Sequence, residues 1–140
     1  MRGTIIALHI APGKDVPMQS RQSVTAIADL GLEGDWHARK ESKRQVLLID
    51  EETLHVFGLQ PGRVRENITT CGIDLKSLER GARLRAGSAV FEITLPCAPC
   101  EFIDEIRPGL REKMEGQRGM LARVVQGGEI QIGDTVEVMK

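Results

Sequence analysis

Hydrophobic and polar positions along the chain form many short apolar runs, most of them alternating with polar residues and bounded by glycine, proline or aspartate. Runs of this kind predict strands joined by turns. We predict strands at residues 2–10, 23–27, 46–49, 82–85, 89–95, 120–125, 129–132 and 135–138. The short link at 86–88 predicts a hairpin, and the glycine turns within 120–138 predict a β-meander.

The run Val46–Ile49 is apolar throughout, which is typical of a strand buried on both faces. Asp50 follows it at the position of a helix N-cap, and Gly58 is suited to end a helix, so one is predicted at 51–57. Residues 62–70 are predicted to be extended. Further short helical segments are predicted at 75–78, 101–106 and 110–115.

Many short strands with only short helices predict a mainly β fold, a closed or nearly closed β-barrel rather than an α/β sheet. At 140 residues the chain fits a single domain, 1–140, because a domain of this length buries enough surface for one core. No internal repeat, linker or low-complexity stretch divides the sequence.

Charge and composition limit the classes of binding partner that we expect. The formal net charge is −1 with 28% charged residues, and aromatic residues are few, so neither nucleic acid nor an acidic membrane surface is expected. No apolar run approaches a membrane span, and the first segment lacks a cleavage site. Three cysteines without a secretory signal favour reduced thiols in the cytoplasm. A homodimer that pairs through an exposed barrel edge is an open expectation.

The segment Leu95–Phe102 carries two thiols, Cys97 and Cys100, between two prolines. A thiol can act as a nucleophile, carry a sulfane sulfur or ligate a soft metal. We predict that Cys100 is the reactive residue and that Cys97 is a small buried hydrophobe. The Cys-x-x-Cys spacing leaves two alternatives: a zinc site, which would have to recruit Cys71 and a histidine, and a thioredoxin-like centre, which needs a βαβ frame.

Acidic side chains follow Cys100 and disfavour a thiolate, so activation of the thiol requires cations from elsewhere in the chain. The candidates are Arg44, Arg63, Arg65 and Arg118. A cluster of four cations, Arg39, Lys40, Lys43 and Arg44, suits a phosphate or another anion, but Glu41 interrupts it, so a solvated loop is the favoured interpretation.

Two further polar pairs are candidate ligand groups. Asp35 and His37 are two residues apart, so in an extended segment they lie on one side and can share a hydrogen bond or face a common ligand. Glu66 and Asn67 have the donors and acceptors to bind the edge of a heterocycle, but such groups more often satisfy local backbone. Gly119, next to Arg118, is suited to a close backbone approach to a ligand.

The ordered set of these motifs resembles the MOSC domain, the family named after the C-terminal domain of molybdenum cofactor sulfurase. The resemblance runs from about residue 24 to the end. The motifs that carry it are Gly34-Asp35-Trp36-His37, Arg44-Gln45-Val46, Glu66-Asn67-Ile68, the hairpin lead from Gly81 to Gly87, Cys100, Arg118-Gly119 and Gly133-Asp134.

The resemblance implies a β-barrel of the kind also found in pyruvate kinase and a cysteine, Cys100, that carries sulfur or binds the molybdenum of the pterin cofactor. It also implies a pocket around that thiol. The residues that would line the pocket are Asp35, His37, Arg44, Gln45, Glu66, Asn67 and Arg118.

The sequence matches neither the pyridoxal phosphate domain of the full sulfurase nor the N-terminal β domain of the amidoxime-reducing relatives. The resemblance therefore implies a partner in trans, a cysteine desulfurase or a molybdoenzyme. The leading hypothesis is a protein that uses the Cys100 thiolate as a persulfide carrier or molybdenum ligand, with Cys97 resolving a persulfide. Whether the protein is an enzyme stays open; if it is one, it would be a sulfur transferase or a component of a molybdenum-dependent reductase. The alternatives are a non-catalytic adaptor barrel for an anionic metabolite or a sulfur-delivery partner, and a structural zinc module.

Overall fold

A computed structural model describes residues 1–139 of the chain. Short strands dominate it, as the sequence predicts. The strands are β1 (Arg2–Ile10), β2 (Gln19–Arg21), β3 (Ser23–Ile27), β4 (Gly31–Leu32), β5 (Val46–Asp50), β6 (Ile68–Cys71), β7 (Arg83–Ala86), β8 (Ala89–Pro96), β9 (Met120–Gln126), β10 (Gly128–Gln131) and β11 (Thr135–Val138). The helices are α1 (Glu51–Val56), α2 (Glu101–Ile106) and α3 (Leu110–Lys113), and a single 3₁₀ turn spans Leu75–Ser77.

Seven strands form a closed barrel in the order β11-β7-β8-β9-β5-β6-β1. The barrel closes because β1 pairs antiparallel with β11, Gly3 opposite Val136. The hairpin of β7 and β8 is present, with Ala86 opposite Ala89. The prediction of a closed, mainly β barrel with a few short helices is therefore confirmed.

Strand β5 is buried along its whole length, as its unbroken apolar run predicts. Asp50 then caps α1, because its Oδ2 accepts a hydrogen bond of 3.0 Å from the Thr53 amide. The chain crosses over through α1 and returns as β6, which pairs parallel to β5. The predicted extended segment at 62–70 is wrong in its first half, since residues 61–64 form a turn and β6 begins only at Ile68.

The predicted β-meander at the end of the chain is also wrong, although its three strands exist. Strand β9 pairs with β5 and β8, β10 pairs with β3 in a separate three-stranded sheet with β4, and β11 pairs with β7 and β1. Only Gly127 separates β9 from β10, and one residue is too few for the loop of a hairpin. The chain therefore bends into the second sheet instead of reversing.

Two main hydrophobic clusters support the fold, and a third, small one contains Leu47, Cys97 and Leu121. The larger fills the barrel and includes Leu48, Phe91 and Val136. The smaller lies beside the barrel, where Leu54 of α1 packs with Ile103 of α2 and with residues of α3 and the turn at 61–64. Within residues 1–139, no helix is both long and apolar enough to cross a membrane.

Candidate functional site

A cavity of about 620 Å³ opens between the end of β8, helix α2 and the loops before β5 and β6. Five of the predicted site residues line it: His37, Arg44, Asn67, Cys100 and Arg118. They come from distant parts of the sequence, and the barrel strands bring them together. A volume of this size lies within the range of pockets that bind small organic ligands.

Cys100 reaches the cavity because prolines control the backbone before it. Pro96 ends β8, and Pro99 favours an extended conformation at Ala98, so residues 97–100 form neither a turn nor a helix. Cys100 itself is extended, with φ −117° and ψ 179°, and its side chain is exposed. It occupies the N-cap position of α2 without making a side-chain capping bond. The sulfur is therefore free to meet a ligand.

Arg118 lies against this sulfur. Its Nη1 is 3.4 Å from Cys100 Sγ and 3.3 Å from the carbonyl oxygen of Ala98, and its Nη2 donates to the carbonyl oxygen of Val64 at 3.1 Å. Arg118 is only 9% exposed, and its Nε has no hydrogen-bond partner. Among residues 1–139 no carboxylate lies within 4.0 Å of this guanidinium. A buried cation without a counter-ion favours an anionic ligand.

The structure selects among the predicted cations. Arg44, Arg65 and Arg118 line the cavity, whereas Arg63 faces a neighbouring cavity. Of the predicted four-cation cluster only Arg44 reaches the site. Two carboxylates, Asp15 and Glu105, also line the wall, so the positive excess is small.

Asp35 and His37 share the predicted hydrogen bond, with 3.2 Å between Asp35 Oδ2 and His37 Nδ1. Asp35 is buried and lies behind the wall, while His37 lines the cavity. The other carboxylate oxygen, Oδ1, accepts from the Ala11 amide at 2.6 Å and from Asn67 Nδ2 at 3.0 Å. Because the carboxylate accepts from Nδ1, this bond orients the His37 ring at the cavity wall and leaves Nε2 as the ring nitrogen that Asp35 does not engage.

Asn67 reaches the wall, but its side chain is used by the protein. Its Oδ1 accepts from the Leu47 amide at 3.0 Å, and its Nδ2 donates to Asp35 and to the carbonyl oxygen of His9. Glu66 is buried behind the site, and its Oε2 accepts at 2.7 Å from both Gly62 N and Thr69 Oγ1. Three of the four polar side-chain atoms of this pair therefore bind groups of the protein itself, while Glu66 Oε1 is buried without a hydrogen-bond partner.

Gln45 does not line the cavity. It is buried, its Nε2 donates to the carbonyl oxygen of Arg39 at 3.0 Å, and its Oε1 accepts from the Val124 amide at 2.9 Å. These bonds tie the loop before β5 to strand β9. Gln45 therefore positions Arg44, its neighbour in sequence, rather than contacting a ligand itself.

Cys97 is 7% exposed and packs against Leu47 and Leu121, as expected for a small buried hydrophobe. Burial raises the pKa of its thiol, although Arg118 and Arg44 act in the opposite direction. Both thiols are free and line the same cavity, but the Cys-x-x-Cys segment leads out of strand β8 and lies outside the parallel β5–α1–β6 unit. The thioredoxin-like alternative is not supported by this geometry.

Gly119 approaches the protein's own backbone rather than a ligand. Its φ of 107° is unfavourable for other residues, and a Cβ there would overlap the carbonyl oxygen of Leu48 in β5. Its own carbonyl oxygen accepts from the Cys97 amide at 2.9 Å. Gly119 therefore holds both the thiol segment and Arg118 against the barrel.

The zinc alternative requires three or four ligands in one place. Within the described part of the chain, no group of three or more His, Cys, Asp or Glu side chains is arranged to hold a metal ion. Cys71, which a zinc site would have to recruit, lies at the end of β6 and does not line the cavity.

Sequence reasoning missed several lining residues. Phe102 and Glu105 follow Cys100 on α2, and this position beside the thiol was the available signal. Leu47 and Leu121 belong to strands that the sequence predicts as buried. Asp15 lies in the loop after β1, where nothing in the sequence marks it.

The environment of Asp35 predicts a pH dependence of stability. Burial tends to raise the pKa of this carboxyl, but hydrogen bonds from the His37 ring and from the Ala11 and His37 amides outweigh burial and hold the pKa below its usual value of 3.8. The stabilisation is therefore present above pH about 4 and is lost as pH falls through the lower folded pKa. We expect Asp35→Asn to reduce the free energy of unfolding by about 2 kcal/mol at pH 7 and by less at pH 3.

Urea unfolding at both pH values measures this difference. Asp74→Asn is the matched control, because Asp74 is exposed and makes only a 3.8 Å ion pair with Lys76. A cost for Asp35→Asn that does not change with pH would contradict the assignment.

The protein is a closed seven-stranded barrel with a thiol site. In that site a cysteine lies beside a buried arginine in one cavity. The model of the MOSC domain family matches residues 7–137. The chain therefore belongs to the MOSC domain family, as its motifs indicate.

Solved structures with this fold include the YuaD protein from Bacillus subtilis, at 22% identity and a TM-score of 0.84, with 99% of this chain and 96% of that chain covered. YiiM from Escherichia coli aligns at 19% identity and a TM-score of 0.76, covering 100% and 70%. YiiM from Geobacillus stearothermophilus aligns at 18% identity and a TM-score of 0.78, covering 99% and 75%. No curated protein matches the chain. At these identities the likeness establishes the fold.

Proposed function

We propose that this protein handles sulfur for the molybdenum cofactor and that Cys100 carries the sulfur as a persulfide. The observation that supports this most directly is the 3.4 Å contact between Arg118 Nη1 and Cys100 Sγ. A guanidinium without a carboxylate partner forms charge-assisted hydrogen bonds with a thiolate or a persulfide anion. Arg118 thus stabilises the negative charge that sulfur transfer places at this position.

The cavity fits the cofactor in its size and in its side chains. Arg44 and Arg65 would hold an anionic pterin phosphate, because planar guanidinium groups bind phosphate oxygens through paired hydrogen bonds. Arg118 Nε is a buried donor without a partner in the protein. When bound, the cofactor supplies a soft metal that accepts sulfur ligands.

A second role for Cys100, as a ligand of molybdenum, is favoured by the cavity volume. About 620 Å³ is far more space than a single sulfur atom needs. In this version the Cys100 thiolate would hold the metal, and the apolar side chains of Leu47, Phe102 and Leu121 would form the neighbouring wall. We propose that a cysteine desulfurase or a molybdoenzyme is the partner in either version.

His37 is placed to move protons in this cavity. Its Nδ1 is held by Asp35, so the other ring nitrogen is the one that can exchange a proton with a bound group. Asp35, fixed by Asn67 and the Ala11 amide, sets the orientation of the ring. Asp35 and Asn67 are therefore positioning residues in this proposal.

Intact mass and elemental analysis test the proposal on protein co-expressed with cofactor biosynthesis and a cysteine desulfurase. We expect wild type to carry either a reducible mass increment of one sulfur, which supports the carrier, or bound molybdenum, which supports the ligand. Cys100→Ser should lose the signal completely, because a serine hydroxyl neither forms a persulfide nor replaces a soft thiolate ligand.

Cys71→Ser is the control, because Cys71 lies outside the cavity and should keep the signal. If wild type carries neither sulfur nor molybdenum, the proposal fails and the adaptor barrel for an anionic metabolite or a sulfur-delivery partner replaces it. Retention of the signal in Cys100→Ser would place the chemistry elsewhere.

A further inference from the structure

We propose that the site takes its sulfur from a small oxyanion that carries a sulfane sulfur, thiosulfate. This inference rests on the proposed persulfide at Cys100 and adds the class of sulfur donor, with no second protein required for loading. Three features carry it: an exposed thiol, an uncompensated buried cation in contact with the thiol, and further guanidinium groups on the same wall.

Arg118 is the observation that points to an anion. It is nine-tenths buried, its Nε has no partner, and no carboxylate in residues 1–139 pairs with it. Burial of this cation costs desolvation free energy, and no counter-ion in residues 1–139 offsets that cost. A bound anion would offset much of it. Arg118 and Cys100 line the same cavity, so an anion bound there would meet both side chains.

Arg44 supplies the second cation. Its side chain is exposed and, within the part of the chain that the structure describes, makes no hydrogen bond or ion pair, whereas Arg65 uses its Nη1 on the carbonyl oxygen of Val16 at 2.7 Å. Asp15 and Glu105 on the same wall limit the positive excess, which favours a small anion held directly by guanidinium groups over a large polyanion held by field alone.

The chemistry of guanidinium groups selects the donor among sulfur-bearing anions. Planar guanidinium groups bind oxyanions with two parallel N–H···O bonds, and sulfur is a much weaker acceptor. A sulfane sulfur attached to a sulfonate group therefore fits this wall better than a polysulfide chain, which has no oxygen atoms. The sulfonate oxygens bind Arg44, and the sulfane sulfur faces Cys100 beside Arg118.

The transfer step is balanced without an external oxidant or reductant. The Cys100 thiolate attacks the sulfane sulfur of thiosulfate, and a new S–S bond forms at Cys100 Sγ. The S–S bond of thiosulfate breaks, and its electron pair leaves with sulfite. The products are the Cys100 persulfide anion, which stays in contact with Arg118, and one sulfite per sulfur loaded.

The test loads purified protein with thiosulfate and, separately, with polysulfide, and follows intact mass and released sulfite. We expect both reagents to add one reducible sulfur at Cys100 and thiosulfate to release an equal amount of sulfite. Arg44→Gln should lower the thiosulfate loading rate by about tenfold, the effect of losing one charge-assisted hydrogen bond. Arg85→Gln is the matched control, because Arg85 is an exposed residue of β7 outside the cavity.

The outcomes separate this inference from the proposed function. Loading by polysulfide but not by thiosulfate would overturn thiosulfate as the donor and leave the sulfur carrier in place. Loading by neither reagent would also overturn thiosulfate as the donor, and the sulfur carrier would then stand only if the co-expressed protein carries the reducible sulfur. Equal thiosulfate rates in Arg44→Gln and Arg85→Gln, or no protection by excess sulfate, would show that guanidinium recognition of the oxyanion is wrong. Slower loading in Arg44→Gln alone, with protection by sulfate, supports the inference.

Discussion

Replacement of Gly119 by alanine is expected to lower the free energy of unfolding by about 4 kcal/mol, because two costs add at this residue. The φ of 107° is strained for any residue with a side chain. The added Cβ would also overlap the carbonyl oxygen of Leu48, a backbone atom of the fully buried strand β5 that cannot move aside cheaply. Equilibrium urea unfolding followed by circular dichroism measures the loss.

Gly116→Ala separates the two costs. Gly116 also has a positive φ, 78°, but a Cβ there would meet nothing within 4 Å. This variant should lose only about 1 kcal/mol, the conformational part. If the two variants are equally stable, the close approach of Gly119 to β5 does not constrain the chain. Because Gly119 also accepts from the Cys97 amide, Gly119→Ala should slow sulfur loading at Cys100 as well.

Asn67→Ala is expected to cost about 3 to 5 kcal/mol, because several buried polar groups lose their partner at once. The Leu47 amide and the Asp35 carboxylate are buried, and each is bonded to the Asn67 side chain at 3.0 Å. The carbonyl oxygen of His9 loses a third bond, of 3.2 Å. Asp35 is buried behind the cavity wall, so the desolvation of its carboxylate is no longer offset by the Asn67 amide.

Gln126→Ala provides the comparison, since Gln126 is an exposed amide with a single bond to the carbonyl oxygen of Ser88 at 3.1 Å. We expect this control to change the free energy of unfolding by less than about 0.5 kcal/mol. An equally small effect of Asn67→Ala would mean that the amide is a ligand group and not a structural one. The double variant Asp35→Ala with Asn67→Ala should cost less than the sum of the single variants, because the two side chains share one network.

Local patterns predict most of the strands but not all of their pairings. The apolar run at Val46–Ile49 is enough to predict β5, and the short link at 86–88 is enough to predict the β7–β8 hairpin. The partner of β10 is not, because the pairing of Ile130 with Val24 joins residues far apart in the sequence. A hairpin of β9 and β10 is prevented because only one residue lies between them. Sequence patterns do not show this, because they place strand boundaries only approximately.

The candidate site was predictable to the level of residue types. The flanking prolines and Glu101, which favour a loop near solvent, and the family resemblance both select Cys100. Sequence spacing could not show which of four arginines contacts its sulfur, because Arg118 is brought there by Gly119 and β9. Nor could it separate Gln45 and Glu66 from ligand-binding residues, since a buried amide or carboxylate that satisfies the protein's own backbone has the same sequence signature as one that binds a ligand.

The pairing of β1 with β11 has a consequence for the order of events during synthesis. Residues 2–4 are separated from their partners, residues 135–137, by more than 130 positions along the chain. The barrel therefore cannot close before residues 135–137 have left the ribosome. Until then β1 exposes an unpaired edge, on which chaperones can act and through which nascent chains can aggregate. Contacts of such long range also predict slow refolding compared with helical proteins of the same length.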